Sequence, residues 1–324
     1  MTRGSMQYWQ KRRAYRRLPR VRSYPKGAKD PSISNIVGYK VGMSHFSSID
    51  ESAKGAETSR ACTIVEVPNT EMYGIRLYSK DPISGYKAAT ADICDRVAAQ
   101  KAGLKKVVAD ETKIEQYRQR LGEFAEVTAL LSAYPKGLST GQHHADRFES
   151  HILGSSVAEK FELAAKLLGK EIRPGDVFKN GEHVDVISVS KGKGWQGVIK
   201  RFGVARLYHK ATQKTRHVGT LGPFGMKRVL YSVPQSGQTG FNYRTEHNKK
   251  IVKIGRKDEA AQINPKSGFL NYGNITNDYI IIDGSLPGPS KRLVRIRKSI
   301  TNRDAKSGMK GVKVTYIATT GKGV

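Results

Sequence analysis

Three glycines after a strand-like run have the spacing of a nucleotide-binding loop. Gly192, Gly194 and Gly197 match G-x-G-x-x-G, a pattern in which glycines let the backbone approach a pyrophosphate at the start of a helix. That fingerprint also needs an acidic ribose partner about 20 residues further on. No Asp or Glu stands between Asp185 and Glu246, and no βαβ series surrounds the glycines. The sequence therefore argues against a dinucleotide site.

A second motif has the spacing of a serine nucleophile. Gly137, Ser139 and Gly141 match G-x-S-x-G, which requires a strand before the serine and a helix after it. A Pro-Lys pair precedes the motif and Gln-His-His follows it, and no acid, base and nucleophile order surrounds it. We predict a polar loop at this position.

Metal and phosphate-loop motifs fail on spacing as well. His143, His144 and His151 have no carboxylate or cysteine partner at a recognised metal-ligand spacing. Neither Lys313–Ile317 nor Gly321–Gly323 contains the G-x-x-x-x-G-K-[ST] pattern of a phosphate loop. We therefore predict that the protein is not an enzyme and has no metal site, no cofactor and no small-molecule substrate.

The remaining chemistry is electrostatic. The chain has 324 residues with 57 Lys and Arg against 28 Asp and Glu, a formal net charge of +29 that attracts polyanions. Ten basic and no acidic residues precede Asp30, and 16 basic residues accompany only Glu246 between Lys191 and Lys257. From Ala89 to Ser190, 15 acidic and 14 basic residues are balanced. Contact with a phosphate-rich partner is therefore predicted at a basic N-terminal arm and at the later basic segment.

The later basic segment also carries aromatic side chains between its cations. They are Trp195, Phe202, Tyr208, Phe224, Tyr231, Phe241 and Tyr243. Lys and Arg bind phosphates while aromatic rings stack on bases, so this combination favours RNA. Some of these rings could instead hold the base of the segment on the body.

Other classes of protein are excluded by composition. No uninterrupted apolar stretch of about 18 residues is present, which excludes a transmembrane helix and predicts no membrane partner. The Arg-rich start lacks the apolar segment of a secretory signal. The two cysteines, Cys62 and Cys94, are too few for a disulfide scaffold and fit a reducing compartment.

Local patterns predict a mainly β protein. Short β-branched runs predict strands; they are Ile36–Phe46, Cys62–Val67, Tyr73–Tyr78, Tyr279–Ile282 and Leu293–Ile296. The last two are separated by a Gly/Pro-rich turn and suggest a hairpin. Val177-Phe178, the turn Asn180-Gly181 and the alternating His183–Val189 predict another hairpin.

Two helices and a long irregular segment complete the pattern. Ser156 and Glu159 form a capping box for a helix that ends at Gly169, and a second helix is predicted between Glu111 and Leu121. Strands at both ends of the chain with a helical insert suggest a closed barrel. Residues 195–254 show no sustained period and are predicted to run out and back as a finger, each arm of which could span about 100 Å. We expect RNA to order this finger, because its charge prevents it from burying enough apolar surface.

The same residues resemble the universal ribosomal protein L3 family of the large subunit, in its archaeal and eukaryotic form, along nearly the whole chain. Six segments carry the resemblance: Ile36–Met43, Lys191–Val198, Gly219–Pro223, Val233–Gly240, Gly284–Pro289 and Lys291–Arg297. The chain departs from the family at Phe224-Gly225-Met226, where Trp followed by His-Pro is common, and at Phe241-Asn242-Tyr243, where Tyr-His-Gln is usual.

The resemblance implies a closed β-barrel of translation-protein type with an α/β insertion, a long basic finger extension and a basic N-terminal arm. The finger would enter ribosomal RNA toward the peptidyl-transferase centre, with a role in assembly and positioning. The expected regions are an arm (1–35), first barrel strands (36–90), the inserted α/β region (91–175), barrel strands (176–194), the finger (195–257) and final barrel strands with a basic C-terminal segment (258–324).

The predicted partners are large-subunit ribosomal RNA and neighbouring large-subunit ribosomal proteins, and the predicted location is the cytoplasmic ribosome. The candidate RNA-binding residues are Arg12, Arg13, Arg16, Arg17, Arg20, Arg22, Lys191, Lys193, Trp195, Lys200, Arg201, Arg206, His209, Lys210, Lys214, Arg216, His217, Phe224, Lys227, Arg228, Gln235, Gln238, Arg244, Lys291, Arg292, Arg295 and Arg297. The alternative is a freestanding basic protein that coats DNA or messenger RNA. An RNA-modifying enzyme would need a cofactor pocket or an acid-base pair that the sequence does not supply.

Overall fold

The computed structural model of the protein describes residues 5–25, 30–50, 55–104, 112–211, 214–225, 227–301 and 312–318. The chain divides into two compact units. Unit 1 comprises Met1–Arg17 and Val189–Arg244, and unit 2 comprises Leu18–Ser188 and Thr245–Val324. Both units are therefore assembled from segments that are distant in sequence.

The described residues are mainly in strands. In chain order the strands are β1 (Ser32–Ile33), β2 (Asn35–Asp50), β3 (Ala56–Glu66), β4 (Asn69–Lys80), β5 (Lys87–Cys94), β6 (Glu126–Tyr134), β7 (Asp146–Leu153), β8 (Glu171–Ile172), β9 (His183–Val189), β10 (Trp195–Gln196), β11 (Gly237–Gln238), β12 (Tyr243–Gly255), β13 (Tyr279–Asp283), β14 (Leu293–Lys298) and β15 (Lys313–Ile317). The helices are α1 (Arg96–Lys101), α2 (Thr112–Gln119), α3 (Val157–Leu167), α4 (Pro174–Val177), α5 (Val198–Phe202) and α6 (Ala260–Ile263). The prediction of a mainly β protein is confirmed.

Unit 2 is built on two sheets. The larger one has the strand order β14-β9-β12-β13-β3-β2-β15, and β14 pairs with β2 as well as with β9. β-Branched residues face each other in its centre, where Ile64 lies opposite Ile281 and Val65 lies opposite Ile280. All four side chains are fully buried, because branched side chains pack well on a pleated surface that is covered by a core. Burial of each contributes about 1.5–3 kcal/mol.

The second sheet carries most of the helical insert. Its strand order is β1-β7-β6-β4-β5, with β8 also paired to β4. Helix α3 buries Phe161 and Ala164 in the main core. Its N-terminus has the predicted capping box, in which the backbone N–H of Glu159 donates to Ser156 Oγ. Gly169 follows the helix with a φ of 73°, the left-handed conformation expected of a C-terminal cap.

Several sequence-based elements are confirmed. The predicted strands at Ile36–Phe46, Cys62–Val67 and Tyr73–Tyr78 correspond to β2, β3 and β4. The predicted second helix is α2, and Glu111 lies outside the described residues. The G-x-S-x-G motif lies in the loop between β6 and β7, so a strand rather than a helix follows it and the polar-loop interpretation is correct.

Both predicted hairpins are wrong, although the strands β9, β13 and β14 exist. Val177 ends the short helix α4 instead of forming a strand. Val184–Val189 are buried without alternation, because β9 lies between β14 and β12. Likewise β13 pairs with β3 and β12, while β14 pairs with β2 and β9. Long-range pairing therefore overrides the local turn signals.

Unit 1 has few regular elements in its described residues. They are a 3-10 turn at Met6–Tyr8, the two-residue pair β10 and β11, the five-residue helix α5 and the first residues of β12. The predicted irregular segment 195–254 is thus irregular mainly between α5 and β11, and β12 occupies its last part from Tyr243.

Two further observations concern predicted absences. Among the described residues, no helix is both long enough and apolar enough to span a membrane. Cys62 is buried and Cys94 is half-buried, and both are free thiols.

Candidate nucleic-acid interface

Within unit 1, the N-terminal arm is hydrogen-bonded to the segment that leads into β12. The backbone N–H of Ala14 donates to the carbonyl of Phe241 at 2.6 Å. Asn242 Nδ2 donates to the carbonyl of Arg12 at 2.9 Å, and the hydroxyl of Tyr243 donates to the carbonyl of Arg16 at 3.0 Å. These contacts use the backbone of the arm. The side chains of its arginines consequently remain exposed.

Aromatic stacking also holds the arm. The rings of Trp9 and Phe202 are stacked with centroids 4.5 Å apart and an interplanar angle of 22°. The guanidinium of Arg201 lies 4.9 Å from the centre of the Phe202 ring, a cation–π distance. Arg201 Nη1 also donates to the carbonyl of Gln235 at 2.9 Å. Phe202 and Arg201 are thus partly occupied by contacts inside unit 1.

The glycine-rich motif forms a crossing of two backbone segments. The N–H of Lys193 donates to the carbonyl of Thr239, and the N–H of Thr239 donates to the carbonyl of Gly194, at 3.0 and 2.9 Å. Gly240 has a φ of 73°, and a Cβ on it would lie 2.1 Å from the carbonyl oxygen of Lys191. Glycine is required there for this close approach. The motif therefore serves the crossing of the two segments instead of a dinucleotide.

Beyond this crossing, the aromatic side chains of unit 1 project into solvent. The relative exposures of Trp195, Tyr208, Phe224 and Tyr231 are 74%, 71%, 108% and 67%. Large apolar rings are rarely left this exposed together unless they serve an interaction. Phe202, Phe241 and Tyr243 contact the arm within unit 1, and the suggestion that some rings hold the base of the segment on the body stays a prediction.

The charge of unit 1 is entirely positive. Its sequence contains 17 Lys and Arg and no Asp or Glu. Self-repulsion between such cations is reduced when phosphates neutralise them, and the counterions of the phosphates are then released. The surface is therefore suited to a polyanion.

Most of the 27 candidate residues are available for a partner. Twenty-two are exposed, whereas Arg201, Gln238 and Arg292 are half-buried. Gln238 Nε2 lies within hydrogen-bond distance of the carbonyls of Thr239 and Gly240. Lys291 is exposed with a φ of 64°. Arg3, Lys26, Lys29 and Met226, which belong to the predicted arm and tip, lie outside the described residues.

Arg295 and Arg297 correct the sequence-based set, because both point into unit 2. Arg297 Nη2 donates to Oδ2 of Asp185 at 2.8 Å, and the two side chains are 2% and 0% exposed. Arg295 is 4% exposed and donates to Asn35 Oδ1 and to the carbonyl of Pro19. A buried guanidinium cannot reach an external phosphate, so these arginines are removed from the RNA-contacting set. Charged and apolar residues alternate in the sequence of β14, which suggests one exposed face, but β14 is buried on both faces.

Sequence reasoning missed the residues that fasten the arm. Trp9, Asn242 and Tyr243 make contacts across about 190 to 230 positions of sequence. Nothing in their local pattern indicates a partner. Asn242 and Tyr243 offer a signal only in that both stand where the resembling family usually has other residues.

Comparisons with known proteins find relatives over nearly the whole chain. The family model of Ribosomal protein L3 matches residues 1–323. The chain is 40% identical to the large ribosomal subunit protein uL3 of Methanosphaera stadtmanae, over 98% of this chain and 96% of the relative. The chain belongs to the ribosomal protein L3 family. The uL3 proteins of Methanobrevibacter smithii and Methanothermobacter thermautotrophicus are each 38% identical over the same shares.

Membership in the ribosomal protein L3 family confirms the resemblance on which the sequence analysis relied. The relatives named above are archaeal, in agreement with the predicted archaeal and eukaryotic form. A ribosomal protein L3 is a structural protein rather than an enzyme, as predicted. The chemistry to be explained is therefore binding.

Proposed function

We propose that this chain is a structural constituent of the large ribosomal subunit, located in cytoplasmic ribosomes, and that unit 1 binds and organises large-subunit ribosomal RNA during assembly. The observation that carries the proposal is the combination in unit 1 of 17 cations, no carboxylate and exposed aromatic rings. Its relatives carry the name of a large-subunit protein.

The cations along the finger neutralise phosphates. Lys200, Arg206, Lys210 and Arg216 are all exposed, and each neutralised phosphate releases counterions into the solvent. Arginine can also bind a phosphate through two parallel hydrogen bonds. Trp195 and Phe224 pack against bases or against the RNA backbone, because stacking on an aromatic ring accepts any base.

The arm and the finger act together. The contacts of Ala14 with Phe241 and of Trp9 with Phe202 support this, since both join the arm to the base of the finger. Ordering the remaining finger costs roughly 1–2 kcal/mol per backbone residue. RNA supplies the compensating contacts, and the finger reaches toward the peptidyl-transferase centre, as the family resemblance implies.

The body is a closed β-barrel of translation-protein type with an inserted α/β region. Support for closure comes from β14. It lies at one end of the strand order and pairs both with its neighbour β9 and with β2 near the other end. Helices α1, α2 and α3 fall within the proposed insert of residues 91–175. Neighbouring large-subunit proteins are the proposed partners of the body, whose charge is more nearly balanced than that of unit 1.

Salt dependence tests the proposal. Full-length protein is titrated with transcribed large-subunit ribosomal RNA at several salt concentrations, and a variant with Lys200, Arg206, Lys210 and Arg216 changed to Gln is compared with it. The slope of log affinity against log salt should fall in magnitude by about 3, because each phosphate contributes roughly 0.7–0.9. A slope that the substitutions leave unchanged would contradict the proposal.

The matched control removes four exposed lysines of unit 2, namely Lys136, Lys166, Lys170 and Lys179. They lie in the charge-balanced region, so their change to Gln should leave the slope unaltered. Gradient sedimentation of cell extract then distinguishes a ribosomal protein from a freestanding nucleic-acid-binding protein. A chain that sediments apart from large particles would rule out the ribosomal role.

A further inference from the structure

A cavity in unit 2 is not accounted for by the proposed finger contacts. It has a volume of about 600 Å³, and its walls include Arg20, Arg22, Tyr24, Glu126, His151 and Arg295. One water occupies about 30 Å³ in the liquid, so the cavity can hold far more than a single phosphate with its hydration. Its size lies in the range of pockets that bind small organic groups.

The two carboxylates of the cavity are already satisfied by the protein. Glu126 contacts both Lys87 Nζ and His151 Nδ1. Glu149 Oε1 accepts hydrogen bonds from the hydroxyls of Tyr78 and Thr128 at 2.6 and 2.8 Å. Glu149 Oε2 also lies 3.9 Å from Arg76 Nη1. Each carboxylate therefore has a cationic partner, Lys87 for Glu126 and Arg76 for Glu149, that is neither Arg20 nor Arg22.

The arginines of the cavity are not neutralised in this way. Arg20 and Arg22 are exposed, and neither forms an ion pair within the part of the chain that the structure describes. The lining as a whole has four basic side chains against two acidic ones. The cavity is consequently positive once its internal partners are counted.

Arg295 strengthens this imbalance from inside the wall. It is 4% exposed, and it donates hydrogen bonds to neutral oxygens, the amide of Asn35 and the carbonyls of Pro19 and Glu149. Burial lowers the pKa of Arg295 to about 10, against a smaller opposing effect of the Glu149 carboxylate, so the guanidinium stays charged at neutral pH. Burial of a charge is unfavourable, and an anion bound in the cavity would stabilise it.

The cavity also offers an aromatic surface. The rings of Tyr24 and His151 are stacked, with centroids 4.7 Å apart and an interplanar angle of 25°. A ring that lines a positive cavity can extend its stack to a nucleobase. A bare phosphate would use only the cations, whereas a nucleotide uses both the cations and the ring.

We propose that this cavity receives one extruded nucleotide of an RNA strand, its phosphate bound by Arg20 and Arg22 and its base stacked on Tyr24. The inference rests on the proposed RNA-binding function but concerns a site in unit 2. Single-stranded or bulged nucleotides are the targets that proteins read in this manner. The site would fix the register of the arm on RNA at a point separate from the finger.

Ultraviolet crosslinking of the full chain to transcribed large-subunit ribosomal RNA tests the site. Nuclease and protease digestion followed by mass spectrometry should find nucleotide adducts on Tyr24 or His151, in addition to adducts on Trp195 and Phe224. Changing Arg20 and Arg22 to Gln should lower the cavity adduct at least about tenfold, which corresponds to the loss of charged phosphate contacts. The adducts on the finger should persist.

The control changes Arg96 and Arg118 to Gln, two exposed arginines of unit 2 that do not line the cavity, and should leave the cavity adduct intact. Finger adducts without a cavity adduct, or a cavity adduct indifferent to the loss of Arg20 and Arg22, would overturn the site while leaving the proposed function standing. No adducts anywhere would contradict both. A parallel sample with the four nucleoside 5′-monophosphates and no RNA addresses the source, and an adduct formed only there would overturn the assignment to RNA.

Discussion

Unit 1 and unit 2 differ in what holds each of them together. Unit 2 contains a continuous core from Ile33 to Ile296 in which most side chains are fully buried. Among the described residues of unit 1, only Ala14, Val189, Val198, Gly237 and Asn242 are buried. Apolar burial is the main favourable term in folding. Unit 2 can therefore order itself, whereas unit 1 has little apolar burial to stabilise it.

The two units also divide the charges of the chain unequally. All 28 acidic residues belong to unit 2, together with 40 of the 57 basic ones. Unit 1 has only cations. Because like charges repel most when no counter-charge is nearby, the segment that lacks a core also lacks internal electrostatic support. A bound polyanion would compensate both for the missing apolar core and for the missing counter-charges of unit 1.

Arginine illustrates the difference best. In unit 2, Arg297 is buried against Asp185, and Arg295 donates to the carbonyl of Pro19. In unit 1, Arg206, Arg216 and Arg228 are exposed. The same residue type therefore builds the fold in one unit and is offered to a ligand in the other. Whether an arginine has a structural role or a binding role depends on its burial and on nearby counter-ions. The density of charge along the sequence does not distinguish the two roles.

Hydrogen exchange of the free protein should reveal the largest contrast. Amides of β3 and β13 in unit 2 should open only with global unfolding, which for a domain costs about 5–15 kcal/mol. Amides of residues 214–225 and 227–236, where the structure describes no helix or strand, should exchange with almost no protection. Addition of transcribed large-subunit ribosomal RNA should protect this segment.

The crossing of the glycine motif serves as the internal reference within unit 1. The amides of Lys193 and Thr239 are hydrogen-bonded and should show intermediate protection without RNA. If residues 214–236 were as slow to exchange as β3 in the absence of nucleic acid, the distinction between the two units would fail.

Removal of one buried arginine should have the next largest effect. Arg297→Met would leave Asp185 buried without its arginine partner, although His247 Nδ1 lies 3.2 Å from Asp185 Oδ2 and the N–H groups of Asn248 and Ile300 would still donate to the carboxylate. The free energy of unfolding should fall by about 3–5 kcal/mol, as is typical when a buried ion pair loses one member. Chemical denaturation measures it. Arg228→Met in unit 1 is the matched control and should change stability by no more than about 0.5 kcal/mol; equal effects would contradict the division of roles.

The elements of unit 2 that depend on local pattern were predictable from sequence. The capping box of Ser156 and Glu159 marks the start of α3, and the β-branched runs mark β2, β3 and β4. In each case the signal and the structure involve neighbours in the chain. The charge segregation that singles out unit 1 is likewise a property of sequence alone.

What depends on distant partners could not be predicted. The strand β13 pairs with β3, about 215 positions away. The Gly/Pro-rich turn between β13 and β14 therefore predicts a hairpin that does not form. The burial of Arg295 and Arg297 involves contacts with Pro19, Asn35 and Asp185, which are distant in sequence. The cavity at Tyr24 likewise joins the arm to strands β6 and β7. The periodicity of apolar residues along the sequence does not indicate which distant segments come into contact after folding.

The smallest of the expected effects concerns Glu126 and depends on pH. Burial acts to raise the pKa of Glu126, but hydrogen bonds from His151 and Lys87 outweigh it and lower the pKa from 4.5 to about 2. A depressed carboxyl pKa stabilises the folded state fully above pH 4.5 and progressively less as the pH falls toward 2. Glu126→Gln should therefore lower the free energy of unfolding by roughly 1–3 kcal/mol at neutral pH, and the difference from the original protein should shrink over that acidic window.

Denaturation at several pH values measures this difference in the free energy of unfolding, with Glu162→Gln on the exposed side of α3 as the control. A difference that stayed constant between pH 5 and pH 2 would show that Glu126 acts through packing and not through its charge, because only the charged form accepts both hydrogen bonds.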